Sequence, residues 1–140
     1  WFRPLFVVYV FLASMPIHHT LNAWHHSQRL AVECVKAATK FPEYEQDALA
    51  NQLRRDCYSI PLKVAAGSTR KATRDYRRHL DIAWGSLAEV QTVLTIARDV
   101  GYLQPAAFGR LEALAIETSK TLFGLLRKVS ESAAKLPRSR

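Results

Sequence analysis

The chain has 140 residues, enough for one domain with a modest core. Hydrophobic residues make up 49% and charged residues 23%, which excludes a disordered chain, and only five Gly and six Pro interrupt it, which favours long helices over many short strands. Twenty Lys and Arg against twelve Asp and Glu leave a net charge of +8, a surplus that suits either contact with polyanions or a merely solubilising surface.

The first fourteen residues carry an apolar run over residues 5–13 behind Arg3. It is too short to span a membrane, which takes about 20 residues. Its length suits a signal-peptide core, but no convincing small-x-small cleavage site follows. Met15 is the only methionine, and residues 1–14 are read as overrun from an upstream frame, a targeting segment being the alternative. The expected domain is then 15–136, with 137–140 as a mobile basic tail.

Over residues 21–41, Leu21, Trp24, Ala31, Cys34, Val35, Ala38 and Phe41 form one helical stripe, with Asn22 as the expected N-cap. Phe41-Pro42 ends it, because the residue before Pro disfavours the α region. A second helix is expected from about Pro42, with Glu43, Glu45 and Asp47 at its positive end and Leu49, Leu53, Cys57, Ile60 and Val64 buried. Pro61 falls inside that pattern, so a kink is expected there and a left-handed cap at Gly67. Cys34 and Cys57 both lie on these apolar stripes and make no CxxC pair. They are read as reduced core thiols of a cytoplasmic protein.

The third helix has the clearest period: Tyr76, Leu80, Ala83, Leu87, Val90, Leu94 and Ala97 alternate steps of four and three. Thr73 is its expected N-cap, and Gly101 its stop, followed by the apolar Tyr102-Leu103. Gly85 lowers helix propensity by about 1 kcal/mol, so a second helix is expected to pass close to it. A fourth helix opens at Gln104-Pro105 and carries Leu111, Leu114, Thr118, Leu122, Leu125, Val129 and Leu136. The fold class is therefore all-α: an antiparallel up-down-up-down four-helix bundle with a Pro-kinked second helix.

Several of these positions recur together in a known pattern. Gln52-Leu53-Arg54-Arg55, Ser59-Ile60-Pro61, Ala65-x-Gly67, Gly85-Ser86-Leu87-x-Glu89 and Gly101-Tyr102-Leu103 resemble the four helix bundle proteins encoded in intervening sequences of bacterial 23S ribosomal RNA genes. The resemblance runs from about Trp24 to Val129 and implies a kinked four-helix bundle assembled as a homopentamer. A more distant likeness is to the accessory variability protein of diversity-generating retroelements, a basic pentamer that binds nucleic acid and a reverse transcriptase. One departure stands out. Where the family reads Ser-Ile-Pro-x-Asn-Ile-Ala-Glu-Gly, this chain has Lys63 for the Asn and Ala66 for the Glu, which puts the pentamer geometry in question.

The candidate chemistry centres on Arg70, Lys71, Arg74, Arg77 and Arg78, five cations around one Asp75, with Lys63 as a further member. Arginine pairs bidentately with phosphate, and cations at a helix start oppose the dipole, which disfavours a purely structural role. In a symmetric ring the cluster would repeat and gain avidity. Arg54 and Arg55 are expected to divide, one outward and one paired with an acid such as Glu89. His18, His19, His25 and His26 lack a completing ligand and are read as surface histidines, so no metal and no cofactor are expected. Ser59, His79 and Asp81 make a triad on paper only, with Ser59 expected to cap backbone freed by Pro61. Tyr76, Trp84 and Tyr102 could stack bases, but core and helix-edge roles are favoured, Trp84 at a helix edge or subunit contact. The expectation is a non-enzymatic nucleic-acid-binding bundle that does not use a membrane. A scaffold for a protein partner such as a reverse transcriptase is the alternative.

Overall fold

The computed structural model describes residues 21–135, so the readings made on residues 1–14, His18, His19, Leu136 and the tail lie outside the described residues. Four helices follow in order: α1 Asn22–Ala38, α2 Leu49–Ser68, α3 Thr73–Asp99 and α4 Pro105–Ala134, with a 3-10 turn at Glu43–Glu45. Each helix packs on its chain neighbour, and α4 returns to α1, closing a four-helix bundle. Ser59 meets Ser86 while Gly67 meets Tyr76, so α2 and α3 run antiparallel. No strand occurs among the described residues.

The predicted stripes form most of the core, with Leu21, Trp24, Val35, Leu49, Tyr76, Leu114 and Leu125 only partly buried at its margin. Leu53, Ile60, Leu80, Leu87, Leu94 and Leu122 are fully or almost fully buried, each contributing about 2 kcal/mol by leaving water. Leu30, Ala50, Phe108 and Ala115 complete it. Cys34 and Cys57 are free and buried within it. Hydrogen bonding with Cys57, and then burial, push the Cys34 thiol far above its usual range, so Cys34 stays protonated.

Helix ends depart from expectation in four places. Leu21, not Asn22, is the N-cap of α1, and Ala72, not Thr73, that of α3; neither offers a side-chain cap. The second helix begins at Leu49 rather than Pro42, because the acidic stretch closes the 3-10 turn first. Glu45 then caps α2 from outside, its Oε2 accepting the Leu49 N–H at 3.1 Å. Gly67 lies inside α2, with Thr69 as a right-handed C-cap; only Gly101 has positive φ among the described residues.

The remaining glycine and proline readings divide. Pro61 does not stop α2, which continues to Ser68. Gly101, at φ 87°, ends α3 as expected, and the Tyr102 and Leu103 N–H groups both reach the Ala97 carbonyl, at 2.8 and 3.2 Å. Leu103 is buried and the Tyr102 ring packs on Phe41, 5.7 Å between centroids. Gly85 is different: nothing lies within 4 Å of the place a Cβ would take, because it faces outward, off the Leu80–Ala83–Leu87 seam. Close approach occurs instead at Gly67, where a Cβ would stand 2.9 Å from the Tyr76 ring and 3.0 Å from the His79 Cβ.

Candidate functional site

The basic cluster sits where α2 turns into α3. Ser68 and Thr69 hydroxyls donate to the Ala65 and Ala66 carbonyls, both at 2.7 Å, and the Arg70 N–H reaches the Gly67 carbonyl at 3.0 Å. These bonds satisfy the last carbonyls of α2 and set the turn tightly against α3. His79 then fastens it from the other side. Its Nδ1 lies 2.8 Å from the Asp75 carbonyl, which can only accept, so Nδ1 carries the proton in that bond. Nε2, free to accept in the neutral ring, is 3.4 Å from Arg70 Nη2.

Arg70, Lys71, Arg74, Arg77 and Arg78 are all exposed. Arg77 lies 3.9 Å from Asp81, an exposed pair worth well under about 1 kcal/mol. Among the described residues no other cation of the five has a carboxylate in ion-pair range. Lys63 is half-buried on α2, one helical turn back from Gly67. Arg74 and Arg78, a turn apart on α3, share a face with their charges free for an anion.

The second group of sequence-predicted residues forms a polar seam along the α2–α3 contact. Ser86 Oγ donates to Ser59 Oγ at 2.9 Å, so Ser59 bonds across the helix pair rather than capping backbone at Pro61. One turn away Asp56 is buried, held by Gln52 Nε2 at 2.8 Å. Glu89 faces Asp56, whose hydrogen bond and charge raise the Glu89 carboxyl above its usual range. Glu89 therefore pairs with an acid and not with an arginine. Gln52 belongs to the family pattern, whereas Asp56 is not singled out by it, although an Asp beside the Leu53–Cys57–Ile60 stripe is itself a signal.

Arg54 and Arg55 do divide, with a different partner. Arg55 is exposed, while Arg54 binds Gln46 twice, Nη2 to its carbonyl at 2.7 Å and Nη1 to its Oε1 at 3.1 Å. Gln46 in turn donates to the Ala38 and Phe41 carbonyls at 3.0 and 2.9 Å, so Arg54 locks the α1–α2 connection.

The other candidates are not brought together. Ser59, His79 and Asp81 each have a separate partner in Ser86, the Asp75 carbonyl and Arg77. The Trp84 ring lies tilted at 48° to Phe123 of α4, 6.2 Å between centroids, Tyr76 lies on Gly67, and Tyr102 on Phe41, so these three form no stacking stripe. Trp84 is thus at a helix edge within the chain. Among the described residues no group of His, Cys, Asp and Glu is placed to hold a metal ion, and no helix is long and apolar enough to cross a membrane.

The sequence matches the family of 23S rRNA-intervening sequence proteins over residues 19–124, a stretch that holds both the basic cluster and the polar seam. The chain belongs to this family. A crystal structure of a protein of unknown function from the S23 ribosomal protein family of Bacteroides thetaiotaomicron is similar to this intervening-sequence protein, with a TM-score of 0.68 at 21% identity. The match covers 74% of this chain and 97% of that one. At that identity the likeness shows the shared fold. Comparison with curated proteins gives no match.

Proposed function

We propose that this intervening-sequence protein is a non-enzymatic, cytoplasmic bundle that binds nucleic acid, structured RNA or else DNA, as an accessory ribonucleoprotein factor. The contact surface is the α2–α3 turn with Arg70, Lys71, Arg74, Arg77 and Arg78, flanked by Lys63. The observation that carries this reading is five exposed cations at one end of the bundle, with only Arg77 near a carboxylate in ion-pair range among the described residues. Their position at the N-terminus of α3 works against the helix dipole, a cost that Asp75 and the exposed Arg77–Asp81 pair offset only in part and that a phosphate backbone would relieve. Self-association, as the homopentamer expected for the family, would present the cluster several times and turn weak contacts into useful avidity.

A protein-docking scaffold is the second reading, favoured by apolar side chains left in water: Leu62 is 65% exposed and Phe123 58%. Light scattering on the full chain, with structured RNA titrated across a salt series, separates the two. The nucleic-acid reading expects an oligomer that takes up RNA at low salt and releases it as salt rises, and the double variant Arg74→Glu, Arg77→Glu should flatten the salt slope by about two units. RNA binding that ignores that variant removes the site. An oligomer that ignores RNA leaves the scaffold.

A further inference from the structure

We infer that the groove between α1 and α4 is a docking site for an acidic amphipathic helix of a protein partner. This goes beyond the nucleic-acid reading and uses a different surface. α1 ends, α2 begins, α3 ends and α4 begins at one end of the bundle, whereas the Arg70–Arg78 cluster lies at the other. The groove occupies the first of these ends and encloses about 820 Å³.

Its construction is that of a helix receptor. The floor is apolar, from Ala37 on α1, Leu103, and Ala107, Leu111 and Leu114 on α4. Small residues there keep the walls low enough for a third helix to approach. The rims are charged: Arg29 and Lys36 on α1, Lys40 just past its end and Arg110 on α4 outnumber Glu33 and Glu117. All four cations are exposed. Lys36 is paired with Glu33 at 3.4 Å, and among the described residues no carboxylate lies in ion-pair range of Arg29, Lys40 or Arg110. The first turn of α4 adds positive potential, since its N-cap Gln104 makes no side-chain cap and Ala106 and Ala107 line the groove.

Dimensions and chemistry select the occupant. From Ala106 to Glu117 the α4 wall rises about 17 Å, three turns of a laid-in helix. Such a helix would place side chains at i, i+3, i+4 and i+7 on the floor and its flanking carboxylates against Arg29, Lys36 and Lys40 on one side and Arg110 on the other. Nucleic acid fits poorly. The apolar floor offers a nucleic acid no polar partner, and the one aromatic lining residue, Tyr102, has its ring against Phe41 and its hydroxyl bonded to Glu45 at 3.1 Å, so it is not placed to stack a base.

The test uses the full chain, 15N-labelled, and a synthetic peptide of four turns carrying Leu at i, i+3, i+4 and i+7 with Glu on both flanks. A peptide of the same composition in scrambled order and a structured RNA serve as comparisons. Saturable binding of the patterned peptide is expected, with amide shifts concentrated at Ala37, Ala107, Arg110 and Leu114. The exposed double variant Lys40→Glu, Arg110→Glu should weaken it at least tenfold, and a peptide with Lys flanks should recover the loss. The variant Arg74→Glu, Arg77→Glu should leave peptide binding unchanged, so failure here and failure of the nucleic-acid reading are distinguishable. Equal binding of the scrambled peptide, indifference to the rim reversal, absence of saturable binding up to millimolar peptide, or displacement of the peptide by RNA from this groove would each overturn the inference.

Discussion

The Tyr76 ring lies against Gly67 so closely that a Cβ on that glycine would stand 2.9 Å from it. The relationship explains why a glycine stands in the last turn of α2, one residue before its end at Ser68, although its φ is not left-handed. It also seats the turn that carries the arginines, since the second close neighbour of Gly67 is His79, which holds Arg70.

Gly67→Ala should therefore destabilise the bundle. Helix propensity in this last turn returns at most about 1 kcal/mol, but forcing a methyl against Tyr76 and the main-chain-proximal Cβ of His79 costs about 1–3 kcal/mol. Gly85→Ala is the matched comparison, with open space around its Cβ position, and should stabilise the fold by up to about 1 kcal/mol. Urea denaturation of both variants gives the sign of each. Loss of stability at Gly85 would show that something, such as a second subunit, packs on that face of α3.

At Gly101 the reason for glycine is conformational rather than spatial. Its φ of 87° lies in the left-handed region, while nothing crowds its Cβ position. Gly101→Ala should cost about 1–2 kcal/mol, and Gly101→Asn less, because Asn tolerates that region better. A thermal melt of the two variants checks the order.

The Asp56–Glu89 pair predicts a pH dependence of stability. Asp56 raises the Glu89 carboxyl, so in the folded state Glu89 holds its proton to higher pH than in the unfolded chain. Its stabilising contribution is therefore complete below the unfolded carboxyl value and is lost as pH rises through the raised folded value. Glu89→Gln, which keeps a hydrogen-bonding group without the charge, should be more stable than the parent at pH 7 and indistinguishable from it near pH 4. Denaturation midpoints of the two proteins at pH 4–8 test this, and a difference independent of pH would dismiss the charge pairing.

How much of this was legible beforehand follows from what each residue depends on. The α3 seam was readable because burial on a helix repeats every three to four residues, and Leu80, Ala83, Leu87, Val90, Leu94 and Ala97 are all buried. The Gly101 stop was readable because the requirement for positive φ is local. The cap positions and the role of Gly67 were not, since capping by Glu45 and contact with Tyr76 depend on neighbours brought in by folding. The exposed cations were visible as a run, but that only Arg77 has a carboxylate in ion-pair range among the described residues needed the fold. The α1–α4 groove was invisible, because Arg29, Lys40 and Arg110 become neighbours only when the bundle closes.

Arg54 and Arg55 are adjacent in sequence and unequal in the fold, which gives a sharp mutational contrast. Arg54 makes two hydrogen bonds to Gln46, and Gln46 ties the Ala38 and Phe41 carbonyls, so three polar groups at the end of α1 depend on one guanidinium. Charged hydrogen bonds contribute about 1.5–3 kcal/mol when well shielded; Arg54 is only half-buried, and about 1–2 kcal/mol is the expected loss in Arg54→Ala. Arg55 is exposed and makes no comparable bond among the described residues, so Arg55→Ala should change stability by less than about 0.5 kcal/mol. Hydrogen exchange adds the location: in Arg54→Ala the amides of Thr39, Lys40 and Phe41 should lose protection while those at the α2–α3 turn keep theirs. Equal behaviour of the two variants would mean that the α1–α2 connection is held by its own turns and not by the Arg54–Gln46 clamp.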